Sequence, residues 1–209
     1  MFPNARDDAF VTRSLRGFDH FCHAQPRSTA FPVLPVDGWY GNCTFIGMDT
    51  ELVKALEKQA THELTAGIAY LAMANWCASE DYPGFSEFFH KQMEEEFEHS
   101  EKFQKHLLDR GELPLLGTVP APKCKYESLE EVAKMALTLE IENSKGIIEA
   151  YELSKKVNDY PSQIMLQWFI DEQVEEEAWA NSMVTQTERL TCAGAVMDLD
   201  RHINKLLGD

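Results

Sequence analysis

Glu96 and His99, three residues apart in the run MEEEFEHSEKF, project from the same side of a helix and fall among apolar neighbours. A carboxylate and an imidazole are costly to bury without a metal ion or a partner. Glu63, Glu140, Gln173 and Glu176 show the same mismatch between a polar side chain and an apolar face, on three other segments of helical period. Four helices that each turn an acid inward can clasp a pair of metal ions at the centre of a bundle.

Facing, not spacing, separates candidate ligands from surface acids. Advancing about 100° per residue puts Phe85, Phe88, Phe89, Met93, Phe103 and Leu107 on one stripe, with Glu96 and His99 inside it. A second Glu-x-x-His, Glu87 to His90, lies nine residues earlier and points to the polar side, so it reads as surface. Glu63 lies in the stripe Leu52, Leu56, Ala60, Tyr70 and Ala74, whereas His62 points about 100° away and is expected at the surface. Glu140 shares the direction of Leu129, Val132, Ala136, Ile147 and Tyr151. Glu172 and Glu176 fall among Met165, Phe169, Trp179 and Met183, with Gln173 at the edge. A donor set dominated by carboxylates with one imidazole suits iron or manganese better than structural zinc. The imidazole is expected to donate its other ring nitrogen to an outer acceptor. Trp168 and Trp179 read as packing.

The elements that must position these groups are helices, and no alternating strand pattern occurs after Met48. The first is expected from Thr50 to Ser79, capped by Asp49 or Thr50 and stopped at Asp81-Tyr82-Pro83-Gly84; the second runs from Gly84 to Arg110, with Gly111 past its end. Residues 112–126 carry three prolines and no period, too long for a tight turn, and read as a crossover between the second and third helices. The third helix spans Ser128 to Lys156, with Ser128 and Glu131 in capping-box spacing. The fourth follows the Asn158-Asp159 turn and Pro161 and runs to Leu190; a short amphipathic fifth covers Ala195 to Leu207.

The net charge of −16 lies wholly on residues 48–209, because four Arg and four Asp cancel within residues 1–47. A helical body that acidic repels nucleic acid and anionic lipid and attracts cations. Five scattered cysteines without paired spacing read as reduced thiols, and no apolar run approaches the roughly 20 residues of a membrane helix. A cytoplasmic protein is expected, although Arg6, Arg13, Arg16 and Arg27 also suit an organelle transit segment. Residues 1–47 are open to three readings: a tail, a targeting segment or a docked arm. Residues 48–209 are expected to form one domain.

The stretches THELTAGIAYLAMANWC, MEEEFEHSEKF, LTLEIENS and LQWFIDEQVEEEAW, together with the short fifth helix, resemble the ferritin family, specifically its non-haem bacterial type, over residues 48–207. That resemblance implies an all-α four-helix bundle with a long crossover. It also implies a ferroxidase centre in which Glu63, Glu96 and His99 hold one iron, and Glu96 bridges to a second iron completed by Glu140 and Glu176. Gln173 would sit beside the oxygen-binding region, Tyr70 near the centre, and Glu95, Glu172, Glu175 and Glu176 would form a third iron site. The implied function is iron storage: Fe(II) is oxidised by dioxygen or peroxide and deposited as ferric oxide inside a homo-oligomeric shell of 24 subunits.

Departures from relatives sharpen this expectation. Bacterioferritins and di-iron oxygenases carry a second Glu-x-x-His on the last bundle helix, where this chain reads Gln173-Val174-Glu175-Glu176. Phe97 stands where bacterioferritins place a haem-ligating Met, so no haem is expected. Residues 1–47 match nothing in the family. The alternative, a di-iron oxidase or peroxidase acting on another substrate, is weakened by the missing second His.

Overall fold

The computed structural model describes residues 47–207. The three readings of residues 1–47 therefore fall almost entirely outside the described residues. Five helices follow in order: α1 Thr50–Ser79, α2 Pro83–Asp109, α3 Leu129–Lys156, α4 Tyr160–Glu188 and α5 Ala193–Leu207. None among the described residues is long and apolar enough to cross a membrane.

Side-chain chemistry sets each boundary. Asp49 is the N-cap of α1, its Oδ1 accepting from the amides of Glu51 at 2.9 Å and Leu52 at 3.2 Å; such a cap stabilises by about 1 kcal/mol. Pro83 opens α2, one residue before the expected Gly84, since a helix's first turn has no use for its missing N–H. Gly111, at φ +82°, ends that helix in the left-handed conformation a glycine adopts without strain. Ser128 Oγ accepts from the Glu131 amide at 3.2 Å, but the Glu131 carboxylate accepts from the Glu127 amide at 2.6 Å rather than closing a reciprocal box. Asp159 caps α4 through the Ser162 amide at 3.1 Å and takes both arms of Arg110 at 2.8 Å. It thereby ties the end of α2 to the start of α4.

The crossover runs along α1, held by Leu115 N–H on Glu57 Oε1 at 2.8 Å and Gly117 N–H on Thr61 Oγ1 at 2.9 Å. α5 begins at Ala193, two residues earlier than expected, and docks on the start of α2. There Asp200 Oδ1 accepts from the Phe85 amide at 3.0 Å and Asn204 donates to Gly84 O at 3.0 Å. Gly84 is required at this contact, because a β-carbon would overlap the Asp200 carbonyl.

α1 packs along α2 and α3 along α4, and α1 against α3 joins the pairs. The interior divides into two apolar clusters. One holds Leu52, Leu56, Ala60, Phe103, Leu107, Ile147, Leu166 and Phe169. The other holds Ala66, Tyr70, Phe85, Phe88, Phe89, Val132, Ala136, Trp179 and Met183. On every bundle helix the break between clusters falls at buried polar residues: Glu63 on α1, Glu96 and His99 on α2, Glu140 on α3, Gln173 and Glu176 on α4. A polar belt thus crosses the bundle at one level between two hydrophobic plugs, where each fully buried large side chain stabilises by about 1.5–3 kcal/mol. Three residues assigned to the stripes, Met93, Tyr151 and Met165, are only partly buried, and Leu166 takes the core position expected of Met165.

Candidate metal centre

α1 supplies Glu63 and α2 supplies Glu96 and His99, with one donor atom from each lying within 4.8 Å of the others. All three are buried, at 0%, 2% and 6% exposure. Glu96 Oε2 and His99 Nδ1 stand 3.8 Å apart, and neither has a hydrogen-bond partner. Native interiors rarely leave a carboxylate oxygen and an imidazole nitrogen unsatisfied. A cation between them would satisfy both at once. The expected outer acceptor for the ring is not found among the described residues; instead Trp168 and Phe169 pack edge-on against it, each with centroids 5.6 Å away.

The other two helices complete the belt. The Tyr70 hydroxyl donates to Glu140 Oε1, and Gln173 Nε2 donates to Glu140 Oε2 at 3.3 Å and to the Glu140 carbonyl at 3.2 Å. The Trp179 indole N–H donates to Glu176 Oε2. Gln173, expected at an edge, is buried at 5% exposure, while Glu172, expected inside, is only half-buried. Glu95 and Glu175 are exposed, so of the four acids of the implied third site only Glu176 is buried. The Gln92 amide donates to Glu95. Glu87 and His90 lie on the surface as their facing required. His62 does not: it is half-buried, with an unpartnered Nε2, because the crossover lies alongside this stretch of α1.

Burial and crowding set the proton affinities. Desolvation raises Glu96 well above the usual carboxylate range, and the charges of Glu63, Glu140 and Glu176 raise it further. Burial lifts Glu140 to about 7 against the opposing hydrogen bonds from Tyr70 and Gln173. Burial and the Glu140 charge raise Glu176, although its bond from Trp179 pulls the other way, and Glu95 and Glu172 add to the rise. Burial and Glu140 likewise hold the Tyr70 hydroxyl in its protonated form. Burial lowers His99, favouring the neutral imidazole that binds metals. Several carboxylates that cannot all carry charge, beside a neutral imidazole, are the donor types that a multivalent cation takes.

Three further polar residues of the belt escaped the reading of the sequence: Gln59, Asn143 and Ser144 are buried at 3%, 1% and 9% exposure. The signal was available, since Gln59 precedes Glu63 by four residues and Asn143 follows Glu140 by three, each on the same apolar stripe. Trp179, read as packing, also makes the hydrogen bond to Glu176. Trp168 is 39% exposed and covers His99, with the Lys102 ammonium over its ring.

Comparison with known proteins bears on the family. A family model described as a ferritin-like domain matches residues 53–190. The bacterial non-heme ferritin of Staphylococcus saprophyticus is 36% identical over 143 residues, covering 68% of this chain and 86% of that protein. Its counterpart from Staphylococcus aureus strain MRSA252 shows the same identity and coverage. Among solved structures, an open pore ferritin from the hyperthermophilic archaeon Archaeoglobus fulgidus superposes with a TM-score of 0.73 at 28% identity, over 75% of this chain and 96% of that one. A closed form engineered from it by site-directed mutagenesis gives 0.72 at 29% identity, with the same coverage. The family model, the curated relatives and the shared fold therefore show that the chain belongs to the ferritin family.

Proposed function

We propose that the protein stores iron, oxidising Fe(II) to Fe(III) at a centre within each subunit and depositing the product as ferric oxide inside a shell of 24 subunits. The observation that carries this reading is the pair of unpartnered atoms, Glu96 Oε2 and His99 Nδ1, facing each other in a buried acid cluster. Glu63, Glu96 and His99 bind the first ferrous ion. Glu96 bridges to a second held by Glu140 and Glu176, and two ions so placed deliver two electrons together. Two ferrous ions, one dioxygen and two protons then give two ferric ions and hydrogen peroxide; with peroxide as oxidant, the same electrons and protons give two waters. Protons held on the buried carboxyls leave as ferrous ions bind. Tyr70 keeps Glu140 oriented through its hydroxyl. Gln173 presents its amide beside the oxidant, and Glu95, Glu172, Glu175 and Glu176 hold a third iron on its way out of the centre.

Iron is substrate and cargo here, and the acidic body draws it in. Stopped-flow mixing of the metal-free protein with Fe(II) and oxygen, followed by electron microscopy, tests the reading. Fast oxidation followed by electron-dense cores is expected in the wild type, and a large fall in the oxidation rate with assembly retained is expected for Glu96→Ala and His99→Ala. Unchanged oxidation in both variants refutes the assignment of the centre. Turnover without mineral refutes storage and points to an oxidase.

A further inference from the structure

α1 and α3 meet in the belt through primary amides that are not assigned as metal donors above. Gln59 Nε2 donates to Glu63 Oε1 at 3.0 Å and to Asn143 Oδ1, and Asn143 Nδ2 donates to Glu63 Oε2 at 2.8 Å. Each oxygen of Glu63 therefore accepts one amide hydrogen bond. A carboxylate oxygen has two lone pairs, so each keeps one to offer a cation. The chain continues at 3.5 Å from Asn143 Nδ2 to Gln173 Oε1, and Gln173 Nε2 reaches Glu140 Oε2 at 3.3 Å. Glu63 on one side of the bundle and Glu140 on the other are thus joined through amides alone. The backbone makes room for this arrangement, because a β-carbon at Gly146 would overlap Gln59 Oε1.

A buried glutamate with no donors around it has no reason to prefer one rotamer, and ordering it when a metal arrives costs side-chain entropy. Hydrogen bonds to an ionised group are the strong ones, and they set that order in advance. We propose that Asn143 and Gln59 are positioning residues. They hold Glu63 in the orientation from which it binds a divalent cation together with Glu96 and His99, and through Gln173 they keep that orientation in register with Glu140. The inference rests on the metal-binding reading of Glu63, Glu96 and His99 given above.

Anaerobic titration of the chelator-treated, full-length protein with Co(II), which is not oxidised under these conditions, tests it by visible absorption. Wild type is expected to bind with a ligand-field spectrum that Glu96→Ala loses. Asn143→Leu, similar in volume but without the amide, is expected to weaken Co(II) binding about tenfold or more, the usual effect of losing an outer-shell partner, and to alter the spectrum. Gly146→Ala alters neither a ligand nor an amide, yet displaces Gln59 from Glu63 and Asn143; it is expected to weaken binding in the same direction and to alter the spectrum. Wild-type affinity and spectrum in Asn143→Leu overturn the inference while leaving the metal-binding reading intact. Should that variant fail to fold, wild-type behaviour of Gly146→Ala overturns it instead. Absence of Co(II) binding in wild type itself removes the metal-binding reading, and this inference with it.

Discussion

Replacing Glu140 by Gln is expected to stabilise the metal-free protein while weakening its chemistry, and the gain depends on pH in a defined way. Glu140 is fully buried and faces Tyr70 and Glu63 from α1, Glu96 from α2, and Gln173 and Glu176 from α4. Its proton affinity rises from the usual 4.5 to about 7, chiefly through burial. Below pH 4.5 the carboxyl is protonated whether the chain is folded or not, and it adds no pH-dependent cost. As pH rises through 4.5 towards 7 the unfolded chain releases this proton before the folded one does, so stability falls, and above 7 the cost is complete. At about 1.36 kcal/mol for each tenfold change in proton affinity, that cost is about 3 kcal/mol per subunit. Glutamine keeps an oxygen to accept from Tyr70 and carries no charge, but its amide replaces the oxygen that accepted from Gln173, so Glu140→Gln removes at most this cost. For a chain of this size that sets an upper bound of about 6–12 °C on the rise in Tm. Calorimetry of chelator-treated protein at pH 8 and pH 4 measures it: the rise is expected at pH 8 and should vanish at pH 4. A variant no more stable than wild type at pH 8, or equally favoured at both pH values, would falsify this account of the belt's electrostatics. The same variant should oxidise Fe(II) more slowly, since the second iron loses a carboxylate.

Asp159→Asn removes the bidentate pair with Arg110, a link whose carboxylate the guanidinium holds at about 2. Because the folded value lies below the unfolded 3.8, its stabilisation is complete above pH 3.8 and is lost as pH falls towards 2. With Arg110 partly in solvent the loss at pH 7 is about 1–2 kcal/mol, shrinking at pH 2, as denaturant titrations at both pH values should read. Gly84→Val forces α5 off the start of α2, where a β-carbon meets the Asp200 carbonyl. Limited proteolysis should then cut near Cys192, a site expected to survive in wild type, with α1 to α4 left folded. Phe169→Ala opens a cavity beside Phe103, whose ring stacks on it at 4.1 Å, and also removes one wall of His99. It should cost about 3–5 kcal/mol in stability and lower Fe(II) affinity, readable by denaturation and by titration.

The helices were legible because local chemistry marks their ends: Asp49, Ser128, Asp159 and Gly111 all act at the boundaries that residue type and position implied. The ligand set was legible for a related reason. A buried acid contradicts its stripe, and the contradiction can be read one helix at a time, as for Glu63, Glu96 with His99, Glu140 and Glu176. Angular facing, however, locates a residue only to within about a quarter turn. It therefore placed Gln173 at an edge and Glu172 inside, the reverse of what packing against α3 produced. His62 went astray because its environment comes from the crossover, an irregular segment whose course no helical period encodes.

Composition and periodicity by themselves determined the number of helices, their ends to within about two residues, and the inward turn of Glu63, Glu96, Glu140 and Glu176, since those depend on neighbours within one turn. Tertiary structure alone decided that the four breaks in the apolar stripes lie at one level, and that Gln59 and Asn143 close on both oxygens of Glu63. It likewise left Glu96 and His99 facing each other without partners. Such contacts join residues up to 84 positions apart. Their existence depends on how far each helix slides along the next, which is set by the sum of all packing contacts and is written in no single segment.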